Sequence, residues 1–99
     1  MKDDFIKDIH KMKQVSELLK VLANENRLII ICYLLESPLT VGELTERLDN
    51  LTQSAISQHL SILRSHQILD SEKKGQTITY FVKDQRIRII LESIRENYC

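Results

Sequence analysis

Residues 39–64 constrain this chain more than any other stretch. They read Leu-Thr-Val-Gly-Glu-Leu-Thr-Glu-Arg-Leu-Asp-Asn-Leu-Thr-Gln-Ser-Ala-Ile-Ser-Gln-His-Leu-Ser-Ile-Leu-Arg and hold two helix starts of one design. Thr40 is a cap for the first helix, and Glu43, three residues on, has the reach to return to the cap's N–H. Leu39 and Leu44 flank it as a hydrophobic staple. Thr52 caps the second helix, with Leu51 and Ile56 as its staple. The link Asp49-Asn50-Leu51 is short. Two short helices joined so tightly read as a helix-turn-helix over 40–64.

The second helix carries the functional signal. Ile56, Leu60 and Leu63 repeat at four and three residues and share a face. At about 100° per residue, Ser54, Ser57, Gln58, Ser61 and Ser65 fall opposite them, with Gln53 and Arg64 on one flank. No Asp or Glu occurs from Leu51 to Leu69; at the chain's average of 14 acids in 99 residues, such a stretch holds between two and three. A face of hydroxyls, amides and one Arg suits a helix lying beside phosphates and bonding base edges. The bland reading is a polar surface helix that happens to lack acids.

Composition narrows the classes. Ninety-nine residues make one domain, 1–99, with an adequate core that a dimer contact would enlarge. Fourteen basic and fourteen acidic residues cancel, which argues against a nucleic-acid binder held by bulk positive charge, so local arrangement has to carry any binding. Two Gly, one Pro and no low-complexity stretch argue against disorder. No run reaches the apolar length of a membrane span. The start Met1-Lys2-Asp3-Asp4 lacks the pattern of a secretory signal, so a cytoplasmic protein with thiol cysteines is expected.

Taken in order, residues 4–22 read as a long helix. Phe5, Ile9, Met12, Val15, Leu19 and Leu22 return every three or four residues, and Ile6 and Leu18 widen the stripe. A partner subunit is the expected cover for that stripe, ahead of the chain's own core. Asn24 caps a second helix, Glu25 to Glu36, whose apolar run Leu28 to Leu35 suits the centre of a domain. Ser37-Pro38 ends it. Arg27, in its first turn, reads as a salt bridge to Glu25 or another acid, or as a phosphate contact.

After the helix-turn-helix, residues 68–82 read as a β-hairpin. Ile78, Tyr80 and Val82 alternate with Thr77, Thr79 and Phe81, and Lys74-Gly75-Gln76 is turn material. A hairpin directly after such a helix is the wing of a winged helix. Lys73 and Lys74 at its tip are placed for the phosphate backbone, or make an ordinary solvated turn. Asp84 caps a last helix, 85–98, with Ile87, Ile90, Leu91, Ile94 and Tyr98 on its apolar side. The expected fold is mainly α with a β-hairpin wing, dimerised through 4–22 and 85–98.

This order of elements resembles the ArsR-type winged-helix regulators, small dimeric bacterial proteins. The resemblance covers almost the whole chain. It is carried by Leu22-Ala23-Asn24-Glu25-Asn26-Arg27-Leu28, by Ser54 to Leu63 and by Gln76-Thr77-Ile78-Thr79-Tyr80. Ile31-Cys32 and Tyr98-Cys99 resemble the HlyU-like branch, which includes sulfide-responsive and biofilm-growth repressors, lacks metal sites and senses sulfur or oxidation. The chain departs from the family's metal sensors. Val41-Gly42-Glu43 stands where they often carry a cysteine pair, and no His follows Asp84 as in their last-helix zinc sites. His10, His59 and His66 form no ligand spacing, so no metal or cofactor is expected.

Read alone, Cys32 is a small buried hydrophobe, and Cys99, after a short apolar helix, is close to solvent. The resemblance makes the two a redox or persulfide sensor. A disulfide or polysulfide between them would tie the second helix to the last and shift the two recognition helices of a dimer, which need a spacing of roughly 34 Å. In this scheme Cys99 reacts first and Cys32 resolves, shielded from over-oxidation by apolar neighbours. The expected DNA-binding set is Gln53, Ser54, Ser57, Gln58, His59, Ser61, Arg64, Lys73 and Lys74. His59, at the side of its helix, reads equally as a structural hydrogen bond or a phosphate contact. Expected partners are double-stranded operator DNA and a second copy, with no membrane. The alternatives are a winged-helix regulator without a thiol sensor, and a protein-interaction module using the same polar face. No Ser/His/Asp set, phosphate loop or paired carboxylates suggest an enzyme.

Overall fold

The computed structural model describes residues 3–99. The first two residues of the start Met1-Lys2-Asp3-Asp4, and of the domain read as 1–99, lie outside the described residues. The element order is α1 (Asp3–Lys7), α2 (Ile9–Leu22), α3 (Glu25–Glu36), β1 (Leu39–Thr40), α4 (Val41–Arg47), α5 (Gln53–Ser65), β2 (Leu69–Lys74), β3 (Thr77–Val82) and α6 (Arg86–Tyr98). The fold is a winged helix-turn-helix: α4 and α5 form the pair, and β2 and β3 form the wing.

The single helix expected over 4–22 is two helices. Asp8 interrupts it with extended backbone, and its carboxylate accepts from Lys11 N–H at 3.1 Å. An Asp with a free N–H three residues on is a helix start, and the apolar period running through Ile9 concealed it. The stripe also turns away from this protomer's core. Ile6, Met12, Val15 and Leu19 are exposed and Ile9 is 69% exposed, whereas Val21 and Leu22 are buried.

The caps of α3, α4 and α5 form as their residues dictate. Asn24 Oδ1 accepts from Arg27 N–H, and Thr52 Oγ1 from Ala55 N–H. At α4 the capping box is complete: Glu43 N–H donates to Thr40 Oγ1 at 3.1 Å, and Thr40 N–H donates to Glu43 Oε1 at 3.0 Å. Its staple residues Leu39 and Leu44 are both buried. Among the described residues Arg27 forms no salt bridge to Glu25 or to another acid. Its Nε donates to the Val21 carbonyl at 2.7 Å, satisfying an acceptor at the end of α2.

The sheet holds three antiparallel strands in the order β1-β3-β2. Strand β1 is absent from the sequence reading. It pairs Leu39 with Tyr80 and Thr40 with Thr79, joining the start of α4 to the wing. In the hairpin Leu69 pairs with Val82 and Lys74 with Thr77. Gly75 takes φ +60° at the first loop position, where a side chain would be strained.

The turn from α5 into the wing is a Schellman motif. Ile68 N–H donates to the Leu63 carbonyl at 3.1 Å, and Gln67 N–H to the Arg64 carbonyl at 3.0 Å. Gln67 takes the left-handed φ, +64°, that usually selects glycine. Ile68 and Leu63, which such a motif brings together, are both buried.

The core is formed by Ile30, Ile31 and Leu34 of α3, Leu44 of α4, Ile56, Leu60 and Leu63 of α5, Leu69 and Val82 of the wing, and Ile87 of α6. The last helix starts one residue later than expected. Gln85 is its cap without a side-chain bond, while Asp84 Oδ1 accepts from Arg86 N–H at 3.1 Å. Beyond Ile87, Leu91 still packs against the core, whereas Ile94 and Tyr98 are exposed and Ile89 is 68% exposed. The radius of gyration is 15.0 Å, against about 13 Å for a compact domain of 100 residues.

Candidate nucleic-acid interface and cysteine groove

Helix α5 is anchored by one face and open on the other. Ile56, Leu60 and Leu63 are fully buried. Gln53, Ser54, Ser57, Gln58, Ser61 and Arg64 are exposed, and no acid stands in the first turn. The Thr52 cap leaves N-terminal N–H groups and the positive end of the helix dipole on this side, which favours an anion. Two exposed polar residues at the far end fold back onto the backbone of their own helix instead. Ser65 Oγ donates to the Ile62 carbonyl at 2.8 Å, and His66 Nδ1 lies 2.9 Å from the same carbonyl.

Arg64 is less free than its position suggested. Its Nε lies 3.6 Å from Asp70 Oδ1, at the base of the wing. Both side chains are about half exposed, so the pair orients the guanidinium more than it stabilises the fold. Lys73 and Lys74 are exposed at the wing tip and form no ion pair among the described residues. As neighbours on one strand they point to opposite sides of the ribbon.

His59 is half-buried. Its Nδ1 is buried with no hydrogen-bond partner among the described residues. Burial, and then the nearby Arg27 guanidinium, hold its pKa below the ordinary histidine value. The ring is therefore neutral at neutral pH, since protonation would put a charge beside Arg27 and a buried N–H without an acceptor. The structural hydrogen bond expected as one of two roles is not formed at Nδ1.

The two cysteines meet a different environment. Cys32 is exposed, which corrects its reading as a buried hydrophobe and as a thiol shielded by apolar neighbours. Helix α3 buries Ile30, Ile31 and Leu34, and Cys32 falls off that face. Cys99 is also exposed, and its N–H donates to the Arg95 carbonyl at 3.0 Å. Both line a groove of about 560 Å³ between α3 and α6. Leu28, Leu35, Leu91 and Ile94 supply its apolar walls, and Glu36, Arg88, Glu92 and Arg95 its polar ones. Partial desolvation against the groove walls, although the residue reaches solvent, and then the Glu36 carboxylate push the Cys32 thiol above its ordinary pKa. Arg88 spans the groove: its Nη2 donates to the Leu35 carbonyl at 2.8 Å, and its Nη1 lies 3.8 Å from Glu92 Oε1.

The sequence reading singled out the cysteines but missed Arg88 and Arg95. The spacing of Arg88, Glu92 and Arg95 along one side of α6 was an available signal. Among the described residues no group of three or more His, Cys, Asp or Glu is placed to hold a metal ion. No helix among them is long and apolar enough to cross a membrane.

The model of the bacterial regulatory protein, arsR family, matches residues 24–71, from the cap of α3 to the start of the wing. The transcriptional activator HlyU of Vibrio cholerae is 44% identical over 82 residues, which cover 83% of this chain and 75% of that one. This chain belongs to the ArsR family. The HTH-type transcriptional regulator YgaV of Escherichia coli is 39% identical over 88% of both chains. Among solved structures, reduced HlyU from Vibrio cholerae superposes with a TM-score of 0.81 at 40% identity, over 91% of this chain and 94% of that one. The transcriptional repressor BigR from Xylella fastidiosa superposes with a TM-score of 0.87 at 25% identity, over 100% of this chain and 98% of that one. The relatives place this ArsR-family protein with the HlyU and BigR branch. It is a DNA-binding transcriptional regulator of a non-enzymatic family whose members are typically dimers.

Proposed function

We propose that this ArsR-family regulator binds its operator as a dimer and releases it when Cys32 and Cys99 of one protomer become linked, by a disulfide or through additional sulfur atoms. The observation that carries the reading is that both thiols line one groove between α3 and α6. On the DNA side, Gln53, Ser54, Ser57, Gln58 and Ser61 meet base edges, His59 offers a neutral ring, and Arg64, Lys73 and Lys74 meet phosphates. The exposed apolar residues of α2, with Ile89 and Tyr98 of α6, supply the dimer contact.

The chemistry balances in either form. Peroxide oxidises the Cys99 thiolate to a sulfenic acid; the Cys32 thiol attacks that sulfur, forms the S–S bond and releases water. A persulfide donor instead transfers sulfur to Cys99 and leaves as a thiol. A second persulfide donor then takes two electrons from the pair and leaves as a thiol and hydrogen sulfide, so that Cys32 and Cys99 are joined through the added sulfur as a trisulfide. Either link pulls α6 on α3 across the Arg88–Leu35 contact. The shift changes the separation of the two recognition helices, and paired major-groove contacts tolerate little change. The test is operator binding of the reduced and persulfide-treated protein, with intact-mass analysis. Treated protein should lose operator affinity and show a Cys32–Cys99 link. A Cys99→Ser protein that still lets go of the operator on treatment would end the mechanism.

A further inference from the structure

Two thiols alone need little space, and this groove is larger than their linkage requires. Its volume, about 560 Å³, falls in the range of small-molecule sites, roughly 300–1,000 Å³. Sulfide, peroxide and a transferred sulfur atom are reagents of a few atoms and leave most of that volume unused. The walls are aliphatic, from Leu28, Leu35, Leu91 and Ile94. Of the two guanidinium groups lining the groove, Arg88 is held by the Leu35 carbonyl and Glu92. Arg95 forms no ion pair among the described residues and stands four residues before Cys99, the C-cap of α6. An apolar cleft with an accessible thiol and an uncommitted cation fits a reagent that is apolar, thiol-reactive and develops negative charge on oxygen.

The geometry points to the α3–α6 groove as a covalent site for apolar, ring-sized α,β-unsaturated carbonyl compounds, captured by Cys99. This rests on the reading of the groove as the sensor and names a class of inducer for it. The Cys99 thiolate adds to the β-carbon and forms a C–S bond. The C=C π pair moves onto the carbonyl oxygen as an enolate, and Arg95 donates hydrogen bonds to that oxygen. Solvent then delivers a proton to the α-carbon. No atom leaves and no oxidant is needed. Cys32 is the poorer nucleophile, because partial desolvation and Glu36 raise its pKa and disfavour the thiolate. Leu91 and Ile94 hold the ring and exclude water from it; Arg95 is the positioning residue.

The test compares cyclohex-2-enone with acrylamide, a polar acceptor, on the reduced full chain. Each rate is followed by intact mass, mapped by peptide digestion and divided by the rate with free cysteine. The enone should be preferred by about tenfold, as a hydrophobic subsite discriminates. Its rate should saturate with concentration, and the adduct should sit on Cys99. Ile94→Ser changes an exposed residue; it should raise the half-saturating concentration. Arg95→Gln should lower the maximal rate and leave half-saturation unchanged. Equal normalised rates, a linear dependence on enone concentration, or first reaction at Cys32 would overturn the proposal. The two readings separate cleanly. Release of the operator by persulfide together with an unselective enone reaction leaves the switch standing and removes the groove ligand. A selective, saturable enone reaction with no operator release by either reagent keeps the groove ligand and removes the switch.

Discussion

Arg88 of α6 donates from Nη2 to the Leu35 carbonyl of α3 at 2.8 Å, across 53 residues of sequence. The bond joins the two helices that carry the cysteines, at the wall of the groove between them. Beyond the buried Ile87, α6 has little else polar to hold it to the core. Arg88→Ala should lower stability by about 1 kcal/mol, the scale of one hydrogen bond. Thermal unfolding measures it, and hydrogen exchange should show faster exchange confined to α6. A uniform rise in exchange across all helices would contradict the local role.

Glu43 and Asp84 make stability depend on acid. The Glu43 pKa is lowered, first by the Thr40 backbone N–H and then by the Thr40 side chain. That of Asp84 is lowered, first by the Arg86 side chain. A carboxylate whose folded pKa lies below its unfolded one stabilises the fold above the unfolded value, and the gain is lost as pH falls through the folded value. Wild-type Tm should therefore fall on acidification below the ordinary carboxylate range. The fall should be shallower in Glu43→Gln and in Asp84→Asn. Parallel Tm–pH curves for all three proteins would show that neither group is linked.

Gln67 occupies a left-handed position with an ordinary side chain. Gln67→Gly should stabilise the protein by roughly 0.5–1 kcal/mol, less the exposed Lys83–Gln67 side-chain bond it removes. Gln67→Val should destabilise it, because a β-branched residue is a genuine outlier there. Denaturant midpoints for the two variants should move in opposite directions.

The polar face of α5 and the wing tip should fail differently. Ser54→Ala and Gln58→Ala should each cost roughly 1–3 kcal/mol of operator affinity if the side chain makes a good base-edge contact. Lys73→Ala and Lys74→Ala should weaken binding to every sequence and reduce the salt slope by about one each. Fluorescence anisotropy across a salt series measures both. A neutral protein-docking face would show almost no salt dependence, and full operator affinity in the Ser54→Ala/Gln58→Ala double mutant would point to another face of the helix.

The exposed apolar residues of α2 and α6 call for a second copy. Sedimentation equilibrium at micromolar concentration should give a dimer. Ile9→Asp, at a position 69% exposed in the protomer, should shift it toward monomer without unfolding it. An unchanged dimer would move the contact elsewhere.

What the sequence determined by itself is local. Asn24, Thr40 with Glu43, and Thr52 bond N–H groups three residues away, so their chemistry is complete within one helical turn and readable in order. The hairpin is local too, since Gly75 and the alternation from Ile78 to Val82 need only each other. The helix-turn-helix, the wing and the open polar face of α5 follow from such signals. Asp8 also had a local signal, but a periodic apolar pattern on both sides of it hid the break.

Only the tertiary structure decided the rest. Strand β1 is two residues long, and its pairing of Leu39 with Tyr80 spans about two fifths of the chain, so no local pattern records it. Arg27 found the Val21 carbonyl because α2 ends above it. The exposure of Cys32 depends on which side of an almost wholly apolar helix packs inward, and that was settled by Ile30, Ile31 and Leu34 meeting α5 and the sheet. The groove exists because Ile87 and Arg88 anchor one end of α6 while Ile94 and Cys99 stand clear of the core. Caps and turns are contests over a few bonds between neighbours in sequence. The facing of an apolar helix is a contest over buried area, and its outcome rests on residues far away in the chain.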